Sequence, residues 1–239
     1  MFIFAKNYNI NDMKKIMVIG GSGFVGKQIC RIASLENESI ISLSRSGMPS
    51  ELSDNEFKHV KWLKADIFHP ENWKKHLQDC SAVIHCIGIL EEEPNKGITY
   101  ERMIFDTAKI AATISQASGI ERFVYISAGA GAPDTPLAYM KNKLAAEKLL
   151  KSNQFNFDVA VLKPGMIYGS ERPETIEEYK VLKNILDNPL LRDELYPNRP
   201  LPVEAVALFA LRAAQGNIEV GTYGVDGIEN YYLKSNKQQ

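Results

Sequence analysis

The stretch KIMVIGGSGFVG at Lys15–Gly26 is an apolar run that ends in closely spaced glycines and continues with helical periodicity. The apolar run predicts a buried parallel strand, and the residues after the last glycine predict a helix. Gly23 leaves no side chain where an anion must approach the backbone, and Gly26 allows the helix to pack closely on the strand. Amide groups at the start of that helix can hold a phosphate. We interpret the pattern Gly20-x-x-Gly23-x-x-Gly26 as a dinucleotide-binding turn, the alternative being a plain connecting turn.

The composition indicates a globular protein with balanced charge. Of 239 residues, 45% are hydrophobic, and 28 Lys and Arg stand against 29 Asp and Glu, for a formal net charge of -1. No global field favours nucleic acid or an anionic membrane, so we expect a small molecule or a protein as partner. Three scattered cysteines predict neither a disulfide framework nor a metal site, and we expect a cytoplasmic location. The first residues do not read as a secretory signal or membrane span, and Met1 and Met13 are both candidate starts.

Short runs rich in valine and isoleucine alternate with longer helical patterns, which is typical of a doubly wound parallel sheet. We predict strands near residues 15–20, 39–44, 60–64, 82–87, 121–127, 158–162 and 219–223, and helices near 24–35, 70–79, 99–118, 138–152, 174–187 and 202–215. The expected order is βαβαβ throughout, with a frayed tail at 234–239. The predicted fold class is α/β, as one Rossmann-type domain over residues 1–239 with a small C-terminal substrate lobe at about 165–223.

A second cofactor signal follows the second strand, where the chain reads Ser44-Arg45-Ser46. In Rossmann domains an acidic residue here binds the ribose of NAD, whereas an arginine accommodates the 2′-phosphate of NADP. Arg45 offers a planar fork of donors, and the two serines offer auxiliary hydroxyls. We therefore predict that NADP is preferred over NAD by roughly ten- to hundredfold. The alternative is a solvated loop arginine.

Further residues follow the third and fourth strands. Asp66 is either an acceptor for the adenine amino group or a turn cap. Gly88 allows the backbone to pass close to the ribose. His85 is interpreted as a core residue rather than a base, and Cys86 as packed rather than reactive.

Tyr139 and Lys143 are four residues apart on one face of a predicted helix. An ammonium one helical turn away favours the phenolate, so we expect Lys143 to lower the pKa of Tyr139. Tyr139 can then exchange a proton with a carbonyl or alcohol. The same spacing also occurs by chance on amphipathic helices.

These motifs, with Gly119–Ser127 and Leu162–Gly169, resemble the extended and atypical short-chain dehydrogenase/reductases, which include NAD-dependent epimerases and dehydratases. The closest likeness is to a subgroup containing the 39 kDa accessory subunit of respiratory complex I and a coenzyme Q biosynthesis accessory protein. The resemblance implies NADP(H) binding, with Pro164 and Gly165 beside the nicotinamide. The predicted cofactor contacts are Gly20, Ser22, Gly23, Phe24, Val25, Ser44, Arg45, Ser46, Asp66, Ile67, Cys86, Ile87, Gly88, Lys143, Pro164, Gly165 and Met166.

The chain also departs from that family. Ala128 and Gly129 stand where extended members carry a substrate-polarising hydroxyl, so Ser127 is either the third catalytic residue beside Tyr139 and Lys143 or a structural residue. The helix before the fifth strand lacks the family's asparagine. In the small lobe, Arg199 is expected to face the cleft and the charged start at Glu171–Glu178 to be a solvated face. The acidic loop at 91–96 is at the place of a lid, the alternative being a plain surface loop.

These motifs and the resemblance leave two candidate functions. The first is an NADP-dependent oxidoreductase, or an epimerase or dehydratase, that acts on a small carbonyl or alcohol by hydride transfer. The alternative is a redox-inert NADP(H)-binding accessory or assembly protein with a quinone-biosynthesis or respiratory partner. The resemblance further implies a possible homodimer through the helices at 99–118 and 138–152. We expect no transmembrane segment.

Overall fold

The computed structural model describes residues 14–129 and 135–237, whose strands form one seven-stranded parallel sheet and one short ribbon. The sheet contains β1 (Lys15–Ile19), β2 (Ile40–Ser44), β3 (Val60–Lys64), β4 (Cys80–His85), β5 (Arg122–Ile126), β6 (Asp158–Leu162) and β9 (Gly221–Tyr223). Its strand order is β3-β2-β1-β4-β5-β6-β9, and every neighbouring pair is parallel. The ribbon pairs β7 (Ile167–Tyr168) with β8 (Leu201–Pro202).

Helices cover both faces of the sheet. They are α1 (Phe24–Leu35), α2 (Thr107–Ala117), α3 (Leu137–Leu150), α4 (Pro173–Leu186), α5 (Arg192–Leu195), α6 (Val203–Ala214) and α7 (Val225–Asn236). One face packs on α1 and α6 through Ile29 and Phe209. The other face packs on α2 and α3, with Trp73 and Phe123 fully buried there. The two apolar layers confirm the predicted α/β class, because a parallel sheet must be covered on both sides.

The connections place the candidate site at the carboxyl ends of β1 and β4. Strand β1 lies between β2 and β4, so the winding direction reverses there. Ligands of open α/β sheets bind in the crevice that this reversal creates. The glycine-rich turn follows β1 at that crevice, where the Gly20 amide donates to the carbonyl oxygen of Leu43.

Several predicted elements differ from the structure. No helix connects β2 to β3, so the chain is not βαβαβ throughout. The segment at 70–79 forms two short 3₁₀ helices, Pro70–Asn72 and Lys74–Asp79, and the helix at 99–118 begins with the π-helical turn Glu101–Asp106. Residues 225–236 form α7, so the tail is helical to Asn236 instead of frayed from residue 234. The ribbon and α5 had no sequence prediction, and Met1 and Met13 lie outside the described residues.

Candidate functional site

The glycine-rich turn has the geometry that its spacing predicted. Gly20 adopts a φ of 86°, which is in the left-handed region. A Cβ atom on Gly26 would lie 2.3 Å from the carbonyl oxygen of Gly20, so only glycine lets α1 approach the turn this closely. Gly23 is exposed at the tip. Helix α1 begins at Phe24 with no side-chain cap and no acidic residue in its first turn, which leaves its amide end available to an anion.

A cleft of about 460 Å³ opens at this turn. Its walls include the predicted contacts Gly20, Ser22, Gly23, Ser44, Arg45, Ser46, Asp66, Ile67, Cys86, Ile87 and Gly88. They also include residues that were not among the predicted cofactor contacts: Phe68, Ile89, Ile98, Arg102, Met103, and Lys96 of the loop at 91–96. Two of these, Arg102 and Met103, lie on the π-helical turn. Such turns are frequent at functional sites, but the sequence does not reveal them.

Arg45 and its two serines take different roles. Arg45 is exposed in the wall of the cleft and pairs with no carboxylate among residues 14–129 and 135–237. The Ser46 hydroxyl donates to that of Ser22 at 3.2 Å, which links this turn to the glycine-rich turn. Ser44 is buried, and its Oγ lies 3.1 Å from both the amide and the carbonyl oxygen of Gly47. Its hydroxyl therefore stabilises the turn, whereas the sequence led us to expect an auxiliary hydrogen-bonding group for the phosphate.

The cleft wall carries more positive than negative charge. Arg102 stacks on the Phe68 ring, with its guanidinium carbon 4.3 Å from the ring centroid. Lys96 is a further cation in the wall, and it pairs with Glu93 in the loop at 91–96. Asp66 accepts the Phe68 amide hydrogen at 3.0 Å, so the turn-cap role proposed as one alternative is present. An anionic ligand suits this arrangement, because the one carboxylate in the wall is already hydrogen-bonded.

Lys143 is buried behind Gly88. Its Nζ donates to the carbonyl oxygen of Ile126 at 2.8 Å and lies 3.6 Å from where a Cβ on Gly88 would stand. Burial lowers the pKa of Lys143 to about 8. The glycine thus keeps a passage open between the cleft and the ammonium group.

Tyr139 lies at the same end, half-buried, with its ring edge-to-face on Tyr100 at 5.7 Å between centroids. The Lys143 Nζ is 5.8 Å from the Tyr139 ring centroid. Burial, and then the neighbouring Tyr100, raise the pKa of Tyr139. The direction is opposite to the expectation that Lys143 lowers this pKa, because burial disfavours the charged phenolate.

Ser127 is engaged inside the protein. Its hydroxyl donates to Glu147 Oε1 at 2.5 Å, and the Lys163 Nζ lies 3.2 Å from the same oxygen. Ser127 and Glu147 are both buried. The structure thus supports the structural alternative for this serine. Glu147 lies one helical turn after Lys143, on the same face of α3. It was missed because the helix pattern does not reveal its distant partner Ser127.

His85 is a core residue, as interpreted from the sequence. Its Nε2 lies 3.1 Å from the Thr107 hydroxyl, which itself donates to the carbonyl oxygen of Met103. Burial lowers the pKa of His85 to about 3, so the ring is neutral at neutral pH. Burial also raises the pKa of the Cys86 thiol, which matches a packed cysteine.

The residues predicted beside the nicotinamide follow β6 and precede β7. A Cβ on Gly165 would lie 2.2 Å from the carbonyl oxygen of Asn198, and Met166 accepts the Leu201 amide hydrogen at 2.8 Å. Pro164 accepts the amide hydrogen of Gly129 at 2.7 Å, beside the end of β5. These residues connect β6 to the β7–β8 ribbon and do not belong to the walls of the 460 Å³ cleft.

Arg199 does not face the cleft, contrary to expectation. It is buried, donates to Glu229 at 3.0 Å and pairs with Asp226 at 2.8 Å, both on α7. The start of α4 matches a solvated face, since Glu174, Glu177 and Glu178 are exposed. The loop at 91–96 supplies Lys96 to the cleft wall, and its tip residues are exposed.

Two negative findings apply to residues 14–129 and 135–237. No group of three or more histidine, cysteine or acidic side chains is arranged to hold a metal ion. No helix there is long and apolar enough to cross a membrane.

Residues 16–199 match the model of the NAD dependent epimerase/dehydratase family. The chain belongs to this family. MIOREX complex component 2 of Saccharomyces cerevisiae is 29% identical over 205 residues, covering 66% of this chain and 74% of that protein. An uncharacterized chloroplastic protein of Arabidopsis thaliana is 29% identical over 250 residues, covering 94% of this chain and 80% of that protein. Among solved structures, MoeE5 in complex with UDP-glucose and NAD superposes with a TM-score of 0.64 at 20% identity, covering 88% of this chain and 76% of that one.

Membership makes NAD(P) the cofactor class, and the residues present fit such a molecule. The glycine-rich turn presents the uncapped start of α1, and the cleft runs from there to Arg45 at one end and to Gly88 at the other. Its mixed lining of apolar, hydroxyl and cationic groups suits a dinucleotide. Preference between NAD and NADP is a separate question.

Proposed function

We propose that this protein is an NADP(H)-dependent oxidoreductase, or an epimerase or dehydratase using transient hydride transfer, that acts on a small carbonyl or alcohol. One observation carries the proposal. Tyr139 and Lys143, on the first turns of α3, adjoin the Gly88 end of the cleft, and Arg45 forms the opposite end. A reactive pair and a phosphate-binding cation thus lie at the two ends of one dinucleotide-sized site.

The preference for NADP is supported by the charges in the cleft. Arg45 and Arg102 pair with no carboxylate in the described chain, and Asp66, the acidic residue of the wall, is held by the Phe68 amide. NADP carries a 2′-phosphate that NAD lacks. An exposed, unpaired guanidinium beside that phosphate favours NADP, and no acidic residue occupies the position that recognises the NAD ribose.

The reactive end of the cleft, which is the end at Gly88, Tyr139 and Lys143, suits proton donation. When bound, NADPH supplies a hydride to a substrate carbonyl carbon. Because the pKa of Tyr139 is raised, its phenol is protonated at neutral pH and can give its proton to the substrate oxygen. Lys143 is mainly cationic below its pKa of about 8, and its Nζ, fixed by Ile126, stabilises negative charge that develops on the phenol oxygen.

A nucleotide titration tests the cofactor assignment. We expect the wild type to bind NADPH at least tenfold more tightly than NADH, followed by nucleotide fluorescence and by the melting temperature. Arg45→Ala is expected to remove the preference by weakening NADPH alone. Lys58→Ala, which removes an exposed cation outside the cleft wall, is the matched control. Equal affinity for both nucleotides in the wild type contradicts the NADP preference.

A substrate screen tests the chemistry. We expect NADPH oxidation with at least one member of a panel of small aldehydes and ketones, and we expect Tyr139→Phe to lower kcat by about 10²- to 10⁴-fold. NADPH affinity should stay unchanged in this variant, since the phenol oxygen acts on substrate. Retained activity in Tyr139→Phe would remove Tyr139 from its proposed role.

A second candidate is a redox-inert NADP(H)-binding accessory or assembly protein. The engagement of Ser127 by Glu147 favours it, because this hydroxyl is then not directed at a substrate oxygen. One relative also carries the name of a complex component. Nucleotide at about a hundred times its dissociation constant would add about 2.7 kcal/mol of stability to such a protein. NADPH binding without turnover on any panel member, together with co-purification of a protein partner, supports this candidate.

Self-association and location remain predictions. Leu137 and Leu144 are 89% and 49% exposed and lie seven residues apart, which places them on one face of α3. This face supports the expected homodimer, and a concentration-independent monomer in sedimentation would contradict it. A cytoplasmic location also stays a prediction, to be tested by fractionation, since one relative is named as chloroplastic.

A further inference from the structure

The turn from Gly169 to Arg172 lies directly on the start of α1. A Cβ on Gly169 would stand 3.1 Å from the Phe24 ring and 2.7 Å from Val203. The Arg172 amide donates to the carbonyl oxygen of Gly169 at 3.0 Å, which closes the turn. This contact brings the C-terminal lobe to the residue at which the phosphate-binding helix begins.

Ion pairs hold the same turn in place. Glu171 lies 3.0 Å from the Lys27 Nζ and 2.9 Å from the Arg31 guanidinium, both on α1. Lys27 and Arg31 also pair with Glu51 and Glu56, respectively. The cations along the side of α1 are therefore neutralised by acidic residues of the protein.

Arg172 is different from these two cations. It is exposed, and it pairs with no carboxylate within residues 14–129 and 135–237, although Glu171 is its neighbour in the chain. Its guanidinium carbon lies 5.1 Å from the centroid of the Phe24 ring. The aromatic ring supports the guanidinium beside the uncapped end of α1. An unpaired cation thus lies on the side chain of the first residue of α1, outside the walls of the 460 Å³ cleft but at the helix end that borders it.

We propose that Arg172 binds the diphosphate of the dinucleotide and so joins the C-terminal lobe to the cofactor. This inference rests on the proposed function, since it assigns a further residue to the same cofactor. The main-chain amides of the glycine-rich turn hold the diphosphate from one side, and Arg172 supplies the side-chain cation from the lobe. Because NAD and NADP share the diphosphate, Arg172 contributes equally to both, whereas Arg45 contributes to NADP alone.

Binding measurements on the full chain test this assignment. We expect Arg172→Ala to weaken NADPH and NADH by the same factor of about tenfold, and Arg172→Lys to recover part of that loss because it keeps the charge. Adenosine 2′-monophosphate, which has no diphosphate, should compete equally well in wild type and Arg172→Ala. It should compete less well in Arg45→Ala.

Arg192→Ala is the matched control, because Arg192 is an exposed arginine of the same lobe that lies over the Tyr196 ring at 5.8 Å. It should leave both dinucleotide affinities unchanged. Unaltered NADPH and NADH binding in Arg172→Ala overturns the inference, and so does an equal loss for adenosine 2′-monophosphate, which would indicate general damage to the cleft. A wild type that binds neither dinucleotide contradicts the proposed function itself, before any variant is compared.

Discussion

The two ends of the cleft differ in how their polar groups are satisfied. At the end formed by Arg45 and Arg102, the cationic side chains are exposed and lack carboxylate partners in the described chain. At the other end, Ser127 is bound to Glu147, and the Lys143 ammonium is bound to Ile126. The cations at the first end can therefore still bind an anion, whereas the polar groups at the second end already have hydrogen-bond partners within the protein.

This difference means that the first end favours nucleotide binding as it stands, whereas use of Ser127 in catalysis requires an existing hydrogen bond to break. Unpaired cations in the cleft wall gain favourable interactions only when an anion binds. Ser127 has to break a buried hydrogen bond to Glu147 before it can donate to a substrate oxygen, and breaking it costs about 1–3 kcal/mol. The proposed hydride chemistry therefore relies on Tyr139 as the proton donor.

The largest effect is expected from Gly26→Ala, which damages the packing of α1 on the glycine-rich turn. The new methyl group would lie 2.3 Å from the Gly20 carbonyl oxygen and 2.7 Å from the Gly21 Cα. Because these are backbone atoms, α1 must move away from the turn, and we expect a loss of about 3 kcal/mol or more in the free energy of unfolding. NADPH binding should be lost with it, as measured by urea unfolding and nucleotide titration.

Gly224→Ala is the control for that prediction. Gly224 has a φ of -83°, and an added Cβ would meet nothing within 4 Å. We expect its unfolding free energy to stay within about 1 kcal/mol of wild type. A Gly26→Ala protein of normal stability and affinity would mean that the turn does not need the close approach.

The second effect concerns Glu147, the buried carboxylate that binds Ser127 at the Lys143 end of the cleft. Glu147→Ala removes the acceptor of Ser127 and the partner of Lys163, leaving a buried hydroxyl unsatisfied. We expect unfolding to become easier by about 2 kcal/mol, with Glu147→Gln less affected because the amide oxygen can still accept. Glu178→Ala, on the exposed face of α4, should change stability by less than about 0.5 kcal/mol. Equal stability of the two alanine variants would contradict a structural role for Glu147.

The third effect is a pH dependence that arises from Lys143. Its pKa of about 8 in the folded protein is below its ordinary value of 10.5, so the unfolded chain binds more protons between these values. Stability should therefore rise with pH in that window, and the burial cost of the ammonium is fully present below pH 8. From pH 8 to 9.5 we expect the wild type to gain about 2 kcal/mol relative to Lys143→Met. Parallel stability curves for the two proteins would contradict the lowered pKa.

The binding end could be predicted from the sequence because its signals are local. The glycine spacing and Arg45 each depend on a few neighbouring residues and on their place after a strand. The strands of the sheet follow in the same way from short valine- and isoleucine-rich runs between turns. These parts of the prediction needed no knowledge of distant contacts.

The remaining parts depend on partners far away in the chain. Arg199 was expected in the cleft, but Asp226 and Glu229 on the unpredicted helix α7 bind it instead. Glu147 is separated by 20 residues from Ser127. A charged residue that finds a buried partner across such a distance has the same local pattern as one facing solvent, so sequence periodicity does not distinguish the two cases.

The smallest effect, and the one that separates the two readings of the reactive end, is expected from Ser127→Ala. If Ser127 only serves Glu147, the variant loses about 1 kcal/mol of stability, because Glu147 keeps Lys163 as a partner. Its kcat on any substrate found should then change less than tenfold, while Tyr139→Phe remains strongly impaired. A drop in kcat of a hundredfold or more in Ser127→Ala, with unchanged NADPH affinity and melting temperature, would show that the serine leaves Glu147 during turnover. In that event substrate binding rearranges the end of the cleft at Lys143. The Ser127–Glu147 hydrogen bond then belongs to the resting state of an active enzyme and does not indicate an inactive protein.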